Sequence, residues 1–222
     1  MLDRMKDDAL SAIFTVGDGR GFVVAGVHRR LVITAGHCLP RFPSHFDDST
    51  YQSLLGVIEE QEQVVWAECL FVDPISDIAI LGPPDDQELF SEFEKYENLI
   101  KYAVPMVIAD ARPKSTAWML NLKGEWFRCA VRQNSGPLWV FNEVEEIVGG
   151  MSGSPIVDNK GAAIGIVCLS CSTENGMQGP NPRLTHHLPA WLLRELGLSL
   201  TASGTARDTP KRPRLDRKRS VI

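Results

Sequence analysis

The chain has 222 residues, of which 44% are hydrophobic and 23% charged, with a formal net charge of −5 at pH 7. These values are typical of an ordinary soluble globular chain that is long enough to bury one large core or two small ones. No segment approaches the roughly 20 apolar residues that cross a bilayer, which excludes an anchor of that kind and predicts no membrane partner.

Residues 1–10 are rich in charge and lack the apolar stretch that directs a chain to secretion. We expect them to form an N-terminal extension. The five cysteines are odd in number and irregular in spacing, which does not suggest a disulfide framework. Together these features predict reduced thiols and a cytoplasmic location.

Between residues 11 and 197 most apolar runs are short, rich in β-branched residues and bounded by turn-forming residues, which favours many short strands. The predicted strands are 21–27, 30–34, 64–72, 78–81, 105–109, 115–122, 125–132, 138–142, 155–157 and 162–169. Gly124 and Gly161 mark two hairpins, because glycine adopts the positive φ of tight turns. So many strands with so few helices indicate a barrel or a sandwich.

Two segments depart from this pattern. Apolar residues at helical spacing, opposite an acidic face, predict a helix or ordered insertion between two halves, with the boundary within 84–104. They are Leu89, Phe93, Tyr96 and Ile100. A second, short helix is predicted over 189–196, because it opens with Pro189 and is followed by Gly197.

Cys168 and Cys171 form a C-x-x-C pair after the apolar run 164–167. No second pair accompanies them, so metal binding or redox chemistry is the weaker interpretation. Buried or edge-strand thiols are the stronger one.

The C-terminal segment 198–222 is basic. Its residues 205–222 contain seven Lys or Arg and two Asp, which leaves a charge of −10 on the rest of the chain. With prolines and no aromatic residues, this segment is typical of a disordered, solvated tail. A contact with nucleic acid or with a regulatory protein is the alternative that its charge leaves open.

Three short motifs carry the chemistry of the chain, and they occur in the order His, Asp, Ser. They are Thr34-Ala-Gly-His37-Cys38, Ser76-Asp77-Ile-Ala-Ile-Leu81 and Gly149-Gly150-Met151-Ser152-Gly153-Ser154-Pro155. Acyl transfer from an amide requires a serine paired with a base, because a free hydroxyl is a weak nucleophile. Ser152 is the candidate nucleophile, His37 the base, and Asp77 the group that orients the base.

Each motif alone has a simpler interpretation. The glycine-rich stretch could be a turn before a strand, His37 a satisfied core or surface histidine, and Asp77 a cap of the turn after Pro74. Asp73 is a competing carboxylate nearby. In combination, the three favour a catalytic triad, because a strand precedes His37 and another follows Asp77, so both side chains belong at strand ends.

The order His, Asp, Ser is that of the chymotrypsin type and differs from the subtilisin and α/β-hydrolase orders. Residues 11–197 therefore resemble the trypsin/chymotrypsin-like serine peptidases. The resemblance implies an all-β fold of two six-stranded antiparallel β-barrels with a short C-terminal helix. It also implies a serine endopeptidase that acts on proteins or peptides without metal or cofactor, with Gly150 and Ser152 donating the two N–H groups of an oxyanion hole.

The chain departs from the pattern of this family at four positions, one of which is Ser154, in place of the second glycine after the serine, a change that leaves the mechanism intact. Met151 stands where the digestive enzymes carry an aspartate that pairs with a newly cut N-terminus, so that route of activation is absent. By resemblance, the disulfide partner of Cys38 would lie where this chain has Phe22, so no bridge is expected. Cys168 takes the place of a serine that supports the catalytic aspartate, which puts that hydrogen bond in doubt.

Substrate recognition is less well defined by the sequence. The resemblance implies that Cys168, Leu169 and Ser170 pair with the backbone of an extended peptide. Glu146, near the base of the primary pocket, would favour Lys or Arg. His186 or His187 would instead favour an acidic side chain, and Glu146 could also lie on a solvated loop.

A second class of function stays open at this point. A trypsin-like domain that has lost turnover could act as a protein-binding module, through the acidic segment 85–97 or the basic tail. The intact triad argues against this alternative.

Overall fold

Strands dominate the computed structural model, which describes residues 2–39, 50–57, 60–133, 136–168, 171–172 and 176–198. The first half contains α1 (Leu2–Ser11), β1 (Ile13–Val16), β2 (Gly19–Ala25), β3 (Arg30–Thr34), β4 (Thr50–Val57), β5 (Glu60–Asp73), β6 (Ile78–Gly82) and α2 (Phe90–Ile100). The second half contains β7 (Lys114–Leu120), β8 (Trp126–Gln133), β9 (Leu138–Phe141), β10 (Pro155–Asp158), β11 (Ala163–Ile166), β12 (Cys171–Ser172), β13 (Gln178–Asn181), α3 (Leu184–His187) and α4 (Ala190–Glu195).

The first six strands close into an antiparallel barrel in the order β1-β2-β3-β6-β5-β4. Strands β3 and β6 are buried almost throughout, which explains why their sequences are continuous apolar runs. Their register pairs Thr34 with Ala79. Since the two strands are antiparallel, the segment that follows β3 and the segment that precedes β6 emerge at the same end of the barrel.

The second half forms a curled seven-stranded sheet in the order β11-β10-β7-β8-β9-β13-β12. Its core is a separate cluster of buried side chains that includes Met119, Phe127 and Leu138. The predicted chymotrypsin-like double-barrel fold is confirmed. The second sheet has seven strands among the described residues, because the two-residue strand β12 pairs with β13 at its edge.

The predicted helix between the halves is α2, whose residues Tyr96 and Ile100 are fully buried. The Tyr96 hydroxyl donates a hydrogen bond to the Arg30 carbonyl at 3.2 Å. The predicted strand 105–109 is wrong: this segment makes only isolated bridges, from Met106 to β2 and from Ile108 to the start of β11. The segment passes from the first barrel to the second sheet, so it pairs with each of them at a single residue and forms no continuous strand.

Helix α1 occupies the range expected to be an N-terminal extension. It lies across the junction of the two halves: the Ala12 carbonyl just after it accepts from Val23 of β2, and its Lys6 carbonyl accepts from Trp126 Nε1 at 3.2 Å. The Lys6 ammonium also lies 3.9 Å from the ring centroid of Trp118. A short, charged helix gains its stability from such docking rather than from its own sequence, and the sequence therefore gave little sign of it.

The predicted C-terminal helix is α4, which packs on the first barrel. Val27, just after β2, donates its amide to the Glu195 carbonyl at 2.7 Å. None of the described helices has the length and apolar character needed to cross a membrane. The basic segment beyond residue 198 lies outside the described residues, so its predicted disorder and contacts stay predictions.

Candidate active site

His37 and Asp77 meet at the end of the first barrel where β3 ends and β6 begins. His37 lies in a single 3₁₀ turn directly after β3, and Asp77 directly precedes β6. His37 Nδ1 is 2.6 Å from Asp77 Oδ2, and the His37 backbone amide donates to Asp77 Oδ1 at 2.8 Å. This double contact fixes the ring with Nδ1 toward the carboxylate, which leaves Nε2 on the opposite edge of the imidazole.

Asp77 has an unusual backbone, with φ at +54°. Few residues other than glycine adopt this region, and those that do are frequent at functional sites. The conformation is supported from both sides, because the Asp77 carbonyl accepts hydrogen bonds from the Gly36 amide at 3.2 Å and from Cys168 Sγ at 3.4 Å. The strained residue is therefore held in place by the two segments that flank it.

Asp73, the competing carboxylate, has a different role. Its Oδ1 accepts from the Ile75 amide at 2.9 Å, within its own turn. Burial acts to raise the pKa of Asp73, but hydrogen bonds from Ser76 and Ile75 outweigh it and lower the pKa. Asp73 stabilises the turn that delivers Asp77.

Ser152 lies in the loop before β10 and is only 7% exposed. Its carbonyl accepts from the Arg20 amide of β2 at 2.8 Å, so a residue of the second half is bound to the first barrel. A Cβ added at Gly19 would collide with both Cys38 Sγ and the Ser152 carbonyl. Ser152 is thus adjacent to the residue that directly follows His37.

In the described Ser152 loop, three amides donate to backbone carbonyls, and those of Gly149, Gly150 and Ser152 do not. Met151 donates to the Val148 carbonyl at 3.2 Å, Gly153 to the Val167 carbonyl at 2.7 Å, and Ser154 to the Met151 carbonyl at 3.1 Å. Within the described ranges, the amides of Gly150 and Ser152 donate no such bond. Gly150 has φ at +87°, a conformation that suits glycine. Two neighbouring free N–H groups of this kind can bind an oxyanion.

The Cys168 thiol lies against Asp77: after burial, the charge of Asp77 and a hydrogen bond with its side chain are the causes that raise the pKa of Cys168. Its thiol points at the Asp77 carbonyl, while both carboxylate oxygens accept from His37. Asn181 of β13 fixes Cys168 in turn, because its Oδ1 accepts the Cys168 amide at 3.0 Å. No sequence motif singles out Asn181.

The residue that faces Cys38 is Gly19, not Phe22 as expected. Phe22 pairs with Ile33 in the β2–β3 ladder and is fully buried in the core of the first barrel. Gly19 stands opposite the Cys38 thiol. Cys38 is a free, buried thiol, because its neighbour across the strand has no side chain.

We expect the buried thiols to react slowly with alkylating reagents. Burial raises the pKa of Cys38 and Cys69 to about 11 and that of Cys129 to about 12, and it also raises the pKa of Cys168. Because the thiolate is the reactive form, iodoacetamide at pH 8 should leave these four unmodified in the native protein and label them in denaturant. Peptide mass spectrometry measures this, and rapid native labelling of Cys38 would contradict it.

The same shifts make stability depend on alkaline pH. The folded state favours the neutral thiol of Cys38. This preference stabilises the fold fully below the pKa of the unfolded thiol, for which the reference value is 9.0, and the stabilisation is lost as the pH rises toward 11. Denaturation in urea should therefore show lower stability at pH 10.5 than at pH 8.

The residues proposed for substrate recognition are only partly placed. Glu146 is exposed on the loop before Ser152, while Leu169 and Ser170 lie outside the described residues. His186 is exposed, and His187 Nδ1 lies 3.0 Å from the Arg183 amide. His187 also lines a cleft of about 330 Å³ beside Asp77, together with Cys168 and Asn181.

No group of three or more His, Cys, Asp or Glu side chains is arranged to hold a metal ion within the described parts of the chain. The side chain of Cys171 lies outside them, so the C-x-x-C hypothesis is not tested.

The first half is a closed barrel that carries a His–Asp pair, and the second half is a curled antiparallel sheet. A glycine-rich serine loop from the second half binds to the barrel. This combination defines the chymotrypsin-like class. Residues 19–166 match the family model of the trypsin-like peptidase domain, and the chain belongs to this family. No curated protein sequence matches the chain significantly.

Solved structures of serine proteases share the fold. An inactive form of Rv3671c from M. tuberculosis aligns with a TM-score of 0.51 at 15% identity, covering 87% of this chain and 88% of that one. The serine endoprotease from Yersinia pestis aligns with a TM-score of 0.53 at 16% identity, covering 82% and 62%. The serine protease of a human pathogenic astrovirus aligns with a TM-score of 0.50 at 14% identity, covering 81% and 94%.

Proposed function

We propose that this protein is a serine endopeptidase that cleaves peptide bonds through Ser152, His37 and Asp77. The observation that carries the proposal is the two-point contact between Asp77 and His37, which presents the imidazole edge bearing Nε2 at the barrel end where the Ser152 loop docks. Membership in the trypsin-like peptidase family supports it.

The proposed reaction has two halves. Ser152 Oγ attacks the substrate carbonyl carbon while its proton passes to His37 Nε2, and the negative oxygen that forms binds to the amides of Gly150 and Ser152. As the intermediate collapses, the C–N bond breaks and His37 gives its proton to the leaving amine. Water then attacks the resulting ester in the same way, which releases the acid and regenerates Ser152.

Substrates in this proposal are proteins or peptides bound in extended form along residues 168–170, by addition of a strand. Glu145 and Glu146 are exposed on the segment that precedes Ser152, and they make this surface acidic. We expect this charge to favour substrates with Lys or Arg at the cleaved bond over those with Glu.

A fluorophosphonate probe tests the proposal directly, because it reacts with an activated serine and with few other side chains. The probe should label the folded protein at Ser152, and Ser152→Ala should remove the label. Ser154→Ala is the matched control in the same loop: its buried hydroxyl has no partner among the described residues, so labelling should persist. A folded wild-type protein that is not labelled would support the binding-module alternative.

A further inference from the structure

Arg20 is a buried arginine at the junction of the two halves. It lies in β2 between two glycines, with only 4% of its surface exposed. Its Nη1 donates to the carbonyl of Leu120, at the end of β7, over 3.1 Å. No described carboxylate forms an ion pair with it, and burial lowers the pKa of its guanidinium. A buried charge without a counter-charge is unfavourable, so the residue calls for an explanation.

The backbone of Arg20 makes two further contacts. Its amide donates to the Ser152 carbonyl at 2.8 Å, and its carbonyl accepts from Thr34 Oγ1 at 2.7 Å. Thr34 is the last residue of β3, three residues before His37. Arg20 therefore touches the strand that carries the base, the loop that carries the nucleophile, and the end of β7.

Leu120, whose carbonyl accepts from Arg20, directly precedes the β7–β8 turn, residues 121–125. There the Asn121 side chain donates to Glu145 Oε2 at 2.8 Å, and Glu145 belongs to the segment that leads to Ser152. The Leu122 side chain covers Gly150, since a Cβ added at Gly150 would lie 3.2 Å from Leu122 Cδ2. The turn therefore contacts both the segment that leads to Ser152, through Glu145, and Gly150 itself, through Leu122.

We propose that Arg20 is a positioning residue for acylation, and that it acts by fixing the β7–β8 turn against the segment containing Gly150 and Ser152. The inference rests on the proposed function, because it concerns the geometry of the same site. The arginine side chain is long and its guanidinium carries several donors. It can therefore span from β2 to β7 while the backbone of the same residue binds Ser152.

The test is Arg20→Met, which keeps much of the length and volume of the side chain but removes the donor. Small displacements of catalytic groups are costly, so we expect kcat per titrated active site to fall about 10- to 100-fold. KM for a peptide substrate and the acid limb of the pH profile should stay unchanged. The Kd of a peptide boronate, whose adduct places an oxygen in the oxyanion hole, should rise by the same factor as kcat/KM falls.

Two variants separate positioning from a general loss of structure. Arg20→Lys keeps one donor for the Leu120 carbonyl and should recover part of kcat. Arg132→Met, at an exposed arginine of β8, should leave kcat and boronate affinity unchanged. If Arg20→Met lowers only the melting temperature and the number of titratable sites, while the titrated enzyme keeps its wild-type kcat and boronate affinity, the proposal is wrong.

A double-mutant cycle adds an independent test. Because Arg20 and Asn121 act on the same turn, Arg20→Met and Asn121→Ala should have non-additive effects on kcat. Hydrogen exchange measures positioning without activity: the Met151 amide, which donates to the Val148 carbonyl, should exchange faster in Arg20→Met than in Arg132→Met. Equal exchange rates would overturn the inference even in an active enzyme. If the wild-type protein is inactive but the two variants still differ in hydrogen exchange, the proposed function is wrong and the positioning role of Arg20 stands.

Discussion

Replacing Asp77 with asparagine should lower kcat about 10⁴-fold, with little change in the fold. The carboxylate accepts two hydrogen bonds from His37, one from Nδ1 and one from the backbone amide. An asparagine can present its NH₂ group to Nδ1, which would favour the tautomer with the proton on Nε2. That tautomer cannot take the proton of Ser152, so the base is lost although the ring stays in place.

Asp73→Asn is the matched control for this prediction, since it changes a second carboxylate four residues away that does not face His37. Its kcat should stay within a few-fold of wild type. The measurement is kcat on a cleaved peptide, normalised to folded protein by circular dichroism. Equal losses in the two variants would show that Asp77 has no special part in the reaction.

Gly153→Ala should have the largest effect on stability of any single methyl added to the Ser152 loop. Gly153 has φ at +80°, and a Cβ there would overlap the backbone carbonyl of Arg20. The left-handed conformation costs an alanine about 1 kcal/mol, and the clash with rigid backbone adds more. We expect the free energy of unfolding to fall by about 3 kcal/mol and peptidase activity to be lost, because the loop must leave β2.

Gly149→Ala provides the comparison within the same loop. A Cβ at Gly149 meets no described atom within 4 Å, so its stability should change by less than about 0.5 kcal/mol. Urea denaturation of both variants measures the difference. A Gly153→Ala protein with wild-type stability would mean that the loop is not seated against Arg20 as described.

The catalytic candidates could be predicted because each belongs to a local pattern. His37 directly follows an apolar strand and Asp77 directly precedes another, so short-range periodicity placed both at strand ends. The apolar runs predicted many strands, and the family resemblance carried by the three motifs predicted the fold class. Tight turns at Gly124 and Gly161 were predictable because glycine is needed there, and both have positive φ.

Features that depend on distant partners could not be predicted. The role of Arg20 requires knowing that Leu120 and Ser152 lie next to β2, and the sequence shows only a charge within a strand. The residue opposite Cys38 depends on strand register: we expected Phe22 there, and the structure has Gly19. Helix α1 contacts Trp118 and Trp126 of the second half through Lys6, and neither contact is visible in its own sequence.

The hydrogen bond from the Arg20 amide to the Ser152 carbonyl joins the start of the first barrel to a loop near the end of the second sheet. Such a long-range contact forms late, because the intervening chain must first be ordered. A chain synthesised only through β6 holds His37 and Asp77 but has no nucleophile. Completion of the fold is then itself the step that assembles the proposed peptidase.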